Sequence, residues 1–170
     1  SARKRMETAL AESEARLRSI FERMTEGFSI QEVICDEDGK PRDLRFIDAN
    51  PAFELQTGLK NADTLGHTLL ELFPTSEPYW IERYGNVALT GVPITFEATF
   101  GPLGIYYYCR AFQTEPGRFG TVFTDIGERK LAEEALQEAH GLMQQVLASI
   151  SDAFFALDER MVVTYYNAAA

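Results

Sequence analysis

Two stretches near opposite ends of the chain carry the same spacing of small and apolar residues, and this pairing constrains the fold most. Met6, Leu10, Ser13, Leu17, Ile20 and Met24 are separated by steps of 4, 3, 4, 3 and 4. Ala132, Leu136, Ala139, Met143, Val146 and Ile150 repeat those steps, and a shift of 126 residues superimposes the two sets. Alternating threes and fours keep one narrow stripe on a helix, the pattern of a coiled-coil seam. Residues 1–25 and 128–150 are therefore expected to be exposed helices. Two seams in one phase favour self-association over packing on their own domain. Leu10, Leu17, Ile20, Leu136, Met143 and Val146 are the candidate contacts of a homodimer.

Between the seams the pattern changes. Phe28, Ile30, Val33 and Ile34 form a short apolar run, and Asp36 to Pro41 is a turn in which Asp38-Gly39 supplies the positive φ of a tight hairpin. Leu44, Phe46 and Ile47 carry the return strand. Asn50 is a good N-cap, Pro51 suits the first helical position, and Thr57-Gly58 closes that turn. Asp63 is expected to cap a segment containing Leu69, Leu70, Leu72 and Phe73, which Pro74 stops. Ser76 is expected to cap a longer helix from about Pro78 to Thr90, with Trp80, Ile81, Tyr84, Val87 and Ala88 on one face.

Three strands follow. Ile94, Phe96, Ala98 and Phe100 alternate with polar residues, the clearest two-residue period in the chain. Turns at Gly101–Gly104 and Glu115-Pro116-Gly117 separate this strand from 105–112 and from 119–126. The expected fold class is α+β: a five-stranded antiparallel sheet with short helices on one face, flanked by the two seam helices.

The repeat runs past the helices. Thr25-Glu26-Gly27-Phe28 falls on Ser151-Asp152-Ala153-Phe154, and with a shorter hairpin Asn50-Pro51-Ala52 falls on Asn167-Ala168-Ala169. Residues 151–170 are thus expected to begin a second copy of the domain at 26–127. Two strands do not make a stable domain, so the chain is expected to be an excerpt of a longer tandem protein.

Charge removes several functions. Acidic residues number 26 against 16 basic, a net charge of −10, and six of the basic residues lie in the first 23 positions among glutamates. No basic stripe is left for phosphates, so nucleic acid is not an expected partner. Apolar runs fall far short of the ~20 residues that span a bilayer, so no membrane contact is expected. An N-terminus without an apolar leader, and two distant cysteines, Cys35 and Cys109, point to free thiols in a reducing cytoplasm, with a single disulfide as the alternative. His67 and His140 have no partners at metal-ligand spacing, so no metal site is expected.

In order along the chain, Asn50-Pro51-Ala52-Phe53 with Thr57-Gly58, Leu65-Gly66-His67, Tyr79-Trp80 to Pro93 with Phe96-Glu97, and Asp125-Ile126-Gly127-Glu128-Arg129-Lys130 resemble a PAS domain. That is the sensory module common in bacterial signalling proteins. The likeness covers about residues 20 to 130, with Gly127 where the family usually has Thr. It implies a module without enzyme activity, in a sensor histidine kinase or a diguanylate cyclase with further PAS and output domains. Haem-binding members place a histidine on the long helix, and residues 78–90 have none. Light-sensing flavin members carry a cysteine in G-x-N-C-R-F, which is absent. No cofactor is expected; a non-covalent flavin or a small metabolite stays open.

The resemblance puts any ligand between long helix and sheet, where Trp80, Tyr84, Phe96, Tyr107 and Cys109 would line it. Their bulk favours a filled core, and a spacer without ligand is the alternative function. Cys109 reads as a buried filler rather than a reactive thiol. Asp125, at the end of the last strand, can meet helix N–H groups, with Arg129 within reach. These two are the expected signal-transmitting pair.

Overall fold

A computed structural model describes residues 1–150 and 152–167. Two units separate at residue 126. The first begins with helix α1 (Ala2–Arg23) and strands β1 (Gly27–Cys35) and β2 (Pro41–Ala49). Helices α2 (Pro51–Thr57), α3 (Asn61–Thr64), α4 (Leu69–Leu72) and α5 (Pro78–Thr90) follow. Strands β3 (Ile94–Phe100), β4 (Ile105–Glu115) and β5 (Arg118–Asp125) complete it. The five strands form one antiparallel sheet in the order β2-β1-β5-β4-β3. Hairpins make three of the four pairings; the β1–β5 pairing joins the two halves of the unit.

The core lies between the inner face of the sheet and the α2–α5 layer. Phe53, Trp80, Tyr84 and Val87 meet Leu44, Phe119 and Phe123 there. Strand β1 sets its faces against simple expectation. Its polar Ser29 and Gln31 are buried, while Phe28 and Ile30 lie on the outer face. The pleat alternates sides strictly, so Phe28 must find cover outside. It finds the Phe21 ring of α1 at 5.3 Å and the Phe112 ring of β4 at 6.2 Å. Gly120, opposite Ile30 on β5, makes room: a Cβ there would stand only 2.9 Å from the Phe112 ring.

Two expected caps are corrected. The stretch after Asn61 is two short helices, because Gly66 at φ 86° turns the chain between them. Thr68, not Asp63, caps α4, in a capping box whose other half is the Glu71 carboxylate accepting from the Thr68 N–H at 2.9 Å. Ser76 does not cap α5; its hydroxyl is buried without a partner, and Glu77 holds the N-cap position with no side-chain bond. The Glu77 carboxylate instead accepts from Trp80 Nε1 at 3.1 Å and from the Gly101 N–H at 3.1 Å. It thereby ties the β3–β4 turn to the helix.

The second unit holds helix α6 (Gly127–Ser149) and an antiparallel hairpin of β6 (Phe155–Leu157) and β7 (Val163–Tyr166). Neither α1 nor α6 buries any residue. No helix among the described residues is long and apolar enough to cross a membrane.

Candidate functional site

Space remains between helices and sheet despite the many large side chains. A cavity of about 80 Å³ is walled by Trp80 and Tyr84 of α5, Tyr107 and Cys109 of β4, and Phe46 and Phe53 among others. Four of the five expected ligand contacts thus meet on it. Phe96 does not line it: its ring stands against Trp80 at 5.5 Å and Tyr84 at 5.8 Å, with the exposed Arg83 guanidinium 4.7 Å from its centre. The floor is polar. Ser29 and Thr121 face each other across β1 and β5, and Gln31 Nε2 donates to Ser29 Oγ at 2.9 Å. All three line the cavity.

The chemistry of the walls is inert. Burial pushes the Cys109 thiol up to about 11, an effect only partly offset by a hydrogen bond from Tyr84. Burial also raises the Tyr84 and Tyr107 hydroxyls above their ordinary range; the nearby charge of Asp125 adds to the effect at Tyr107. A thiol held neutral is neither nucleophile nor metal ligand. The fold favours the protonated thiol, so its contribution to stability is complete below the ordinary thiol value of 9.0 and is lost as pH climbs through about 11. The melting temperature is expected to stay level from about pH 7 to about pH 9 and to fall above that. A level melting temperature up to about pH 11 would contradict this burial. Among the described residues no group of three or more His, Cys, Asp or Glu could hold a metal. His67 instead meets Glu71 at 3.3 Å.

One cavity wall is tied to the place where the chain enters and leaves the sheet. The Tyr107 hydroxyl donates to the Gln56 carbonyl at 2.7 Å. The Gln56 side chain accepts from the Asp125 N–H at 2.7 Å and donates to the Thr25 carbonyl at 3.3 Å. Thr25 follows α1 and Asp125 ends β5, so a single half-buried glutamine at the end of α2 braces where the chain enters and leaves the sheet. Arg129 forms an ion pair with Glu133 at 3.6 Å within α6.

A PAS domain family model matches residues 15–89. That stretch runs from the end of α1 through β1, β2 and the helical layer to the last turn of α5, and the sheet order places it against β3–β5. The first unit is a PAS domain. Solved structures share its fold. A domain of a sensory box sensor histidine kinase/response regulator from Geobacter sulfurreducens has 16% identity and a TM-score of 0.51, over 68% of this chain and 96% of that one. The PAS domain of an HTR-like protein from Haloarcula marismortui has 19% identity and a TM-score of 0.50, over 72% and 99%. An RNA-binding light-oxygen-voltage receptor has 15% identity and a TM-score of 0.54, over 75% of this chain and 37% of that one. No curated protein matches the chain.

Sequence reasoning missed the polar floor and Gln56. Ser29 and Gln31 sit two apart in a strand of apolar neighbours, so alternation already put them together on one face. Gln56 left no sequence signal, because its partners lie 31, 51 and 69 residues away. The PAS domain's Asn50 does recur. Asn50 Oδ1 accepts from the Phe28 N–H at 2.9 Å, and its Nδ2 donates to the Glu26 carbonyl at 3.0 Å. In the second unit Asn167 Oδ1 accepts from the Phe154 N–H at 3.0 Å, and its Nδ2 donates to the Asp152 carbonyl at 2.8 Å. Each partner is displaced by the same 126 residues as the seams. The matches of Ser151 with Thr25 and of Ala168-Ala169 with Pro51-Ala52 lie outside the described residues.

Proposed function

We propose that residues 26–127 are a non-catalytic sensory PAS domain of a bacterial signalling protein in the cytoplasm, a sensor histidine kinase. The chain works as a homodimer through α1 and α6, and residues 128–150 carry the signal toward an output domain. Residues 151–170 begin a second PAS domain; the shared bonding of Asn50 and Asn167 supports that reading. The observation that carries the proposal is the hydroxyl of Tyr107, whose ring walls the cavity and whose bond to Gln56 reaches the brace on Asp125. A molecule that displaces Tyr107 shifts the Gln56 carbonyl, and with it the end of β5. The Asp125 and Arg129 side chains then pass the change to α6. In a parallel pair of helices a small rotation alters what is presented downstream. Amide exchange at Asp125 in a chain carrying Tyr107→Phe tests the route: faster exchange supports it, and unchanged exchange rejects it.

A further inference from the structure

We infer that the cavity takes a single neutral molecule of about four to six non-hydrogen atoms, a hydrocarbon body ending in a carbonyl. The inference rests on the reading of the cavity as the sensing site and names its ligand. Size sets the first limit. About 80 Å³ is roughly half the volume of a dry engineered cavity that holds benzene, so a fused three-ring flavin does not fit. Charge sets the second. None of the described lining residues is ionic, so an anion or a cation would be buried without compensation.

The floor sets the third. Thr121 is 2% exposed, it lines the cavity, and its hydroxyl has no partner. Ser29, directly opposite on β1 and wholly buried, accepts its bond from Gln31 Nε2. That acceptance leaves its own proton to donate. Opposed residues of an antiparallel pair hold their Cβ atoms about 5 Å apart, so one acceptor between them is within reach of both hydroxyls. A carbonyl oxygen there would accept from both and satisfy a group that folding otherwise leaves costly. Among the other walls, Leu44, Phe46, Leu69, Trp80 and Phe100 offer hydrocarbon and ring faces to the body of the ligand.

The test uses the full chain and three probes of one size: 2-butanone, its isosteric hydrocarbon 2-methyl-1-butene, and propionate. Titration followed by methyl and amide NMR is expected to show saturable binding of the ketone, with shifts at Thr121 and Leu44. The hydrocarbon should bind at least tenfold more weakly, and propionate should not bind. Thr121→Val should weaken the ketone tenfold or more and erase its advantage over the hydrocarbon. If that chain fails to fold, Ser29→Ala carries the same expectation. Equal affinity for ketone and hydrocarbon, a ketone affinity unmoved by Thr121→Val, tighter binding of propionate, or no binding of any probe would each overturn the assignment. Asp125 exchange separates the two readings. Should the ketone fail while Tyr107→Phe still loosens Asp125, the ligand class falls and the relay stands. Should the ketone bind and leave Asp125 exchange unmoved, the site stands and the relay falls.

Discussion

Asn50→Ala is expected to lower the unfolding free energy of the PAS domain by about 3–5 kcal/mol in chemical denaturation. The side chain is wholly buried and makes three bonds to separate parts of the backbone. Its Oδ1 caps α2 through the Phe53 N–H at 3.0 Å and also accepts from the Phe28 N–H at 2.9 Å. Its Nδ2 donates to the Glu26 carbonyl at 3.0 Å. Loss of the cap alone costs ~1 kcal/mol. Alanine also strands the Phe28 N–H and the Glu26 carbonyl, each at about 1–3 kcal/mol when water cannot reach them. These bonds fix the start of β1 to the end of β2, so the defect weakens the hairpin and the helix together. A loss below about 1 kcal/mol would mean that water replaces the amide and that Asn50 is an ordinary cap.

The second large effect is on assembly. Leu136 and Met143 are 72% and 56% exposed on a helix that buries nothing in its own chain. Burying a side chain of this size is worth about 1.5–3 kcal/mol, and a symmetric dimer buries two of each. Replacing both by Asp removes that gain and sets like charges against one another across the seam. Leu136→Asp with Met143→Asp is expected to weaken dimerisation by at least about a hundredfold, since each 1.4 kcal/mol is a factor of ten. Sedimentation should show a dimer for the parent chain and a monomer for the double variant. The near-ultraviolet signal of Trp80 should not change, because the core of the first unit holds none of the altered residues. A double variant that sediments like its parent would reject the seam as the interface.

Much of this was legible in the chain because it rests on local rules. The period-two run at Ile94–Phe100, the turn glycines and the Asn50-Pro51 start of α2 each specify their element with few neighbours. The sheet is antiparallel with helices on one face, as those signals imply. What stayed hidden depends on distance along the chain. Thr68 took the cap of α4 from Asp63 because Gly66 bends the backbone between them, and Glu71 lies at the spacing a capping box needs. Ser76 lost its role because the N-cap position of α5 falls one residue later, on Glu77, whose carboxylate meets Trp80 and Gly101. The five residues expected around a ligand are four aromatics and Cys109. Four of them line the cavity, but the side chains that give it chemical character are the small polar ones on β1 and β5. Gln56 shows the limit most clearly: nothing in its own neighbourhood distinguishes it from a surface glutamine.

The relay through Tyr107 and Gln56 is tested most directly by amide hydrogen exchange on the full chain and on its Tyr107→Phe form. The Asp125 N–H is held by the Gln56 side chain, whereas the neighbouring Ile126 N–H is held at 2.8 Å by the backbone carbonyl of Tyr106. Loss of the cavity-wall hydroxyl is expected to speed exchange at Asp125 by about tenfold or more, a coupling of at least about 1.4 kcal/mol, and to leave Ile126 as it was. Unchanged exchange at Asp125, or an equal rise at both amides, would contradict the relay.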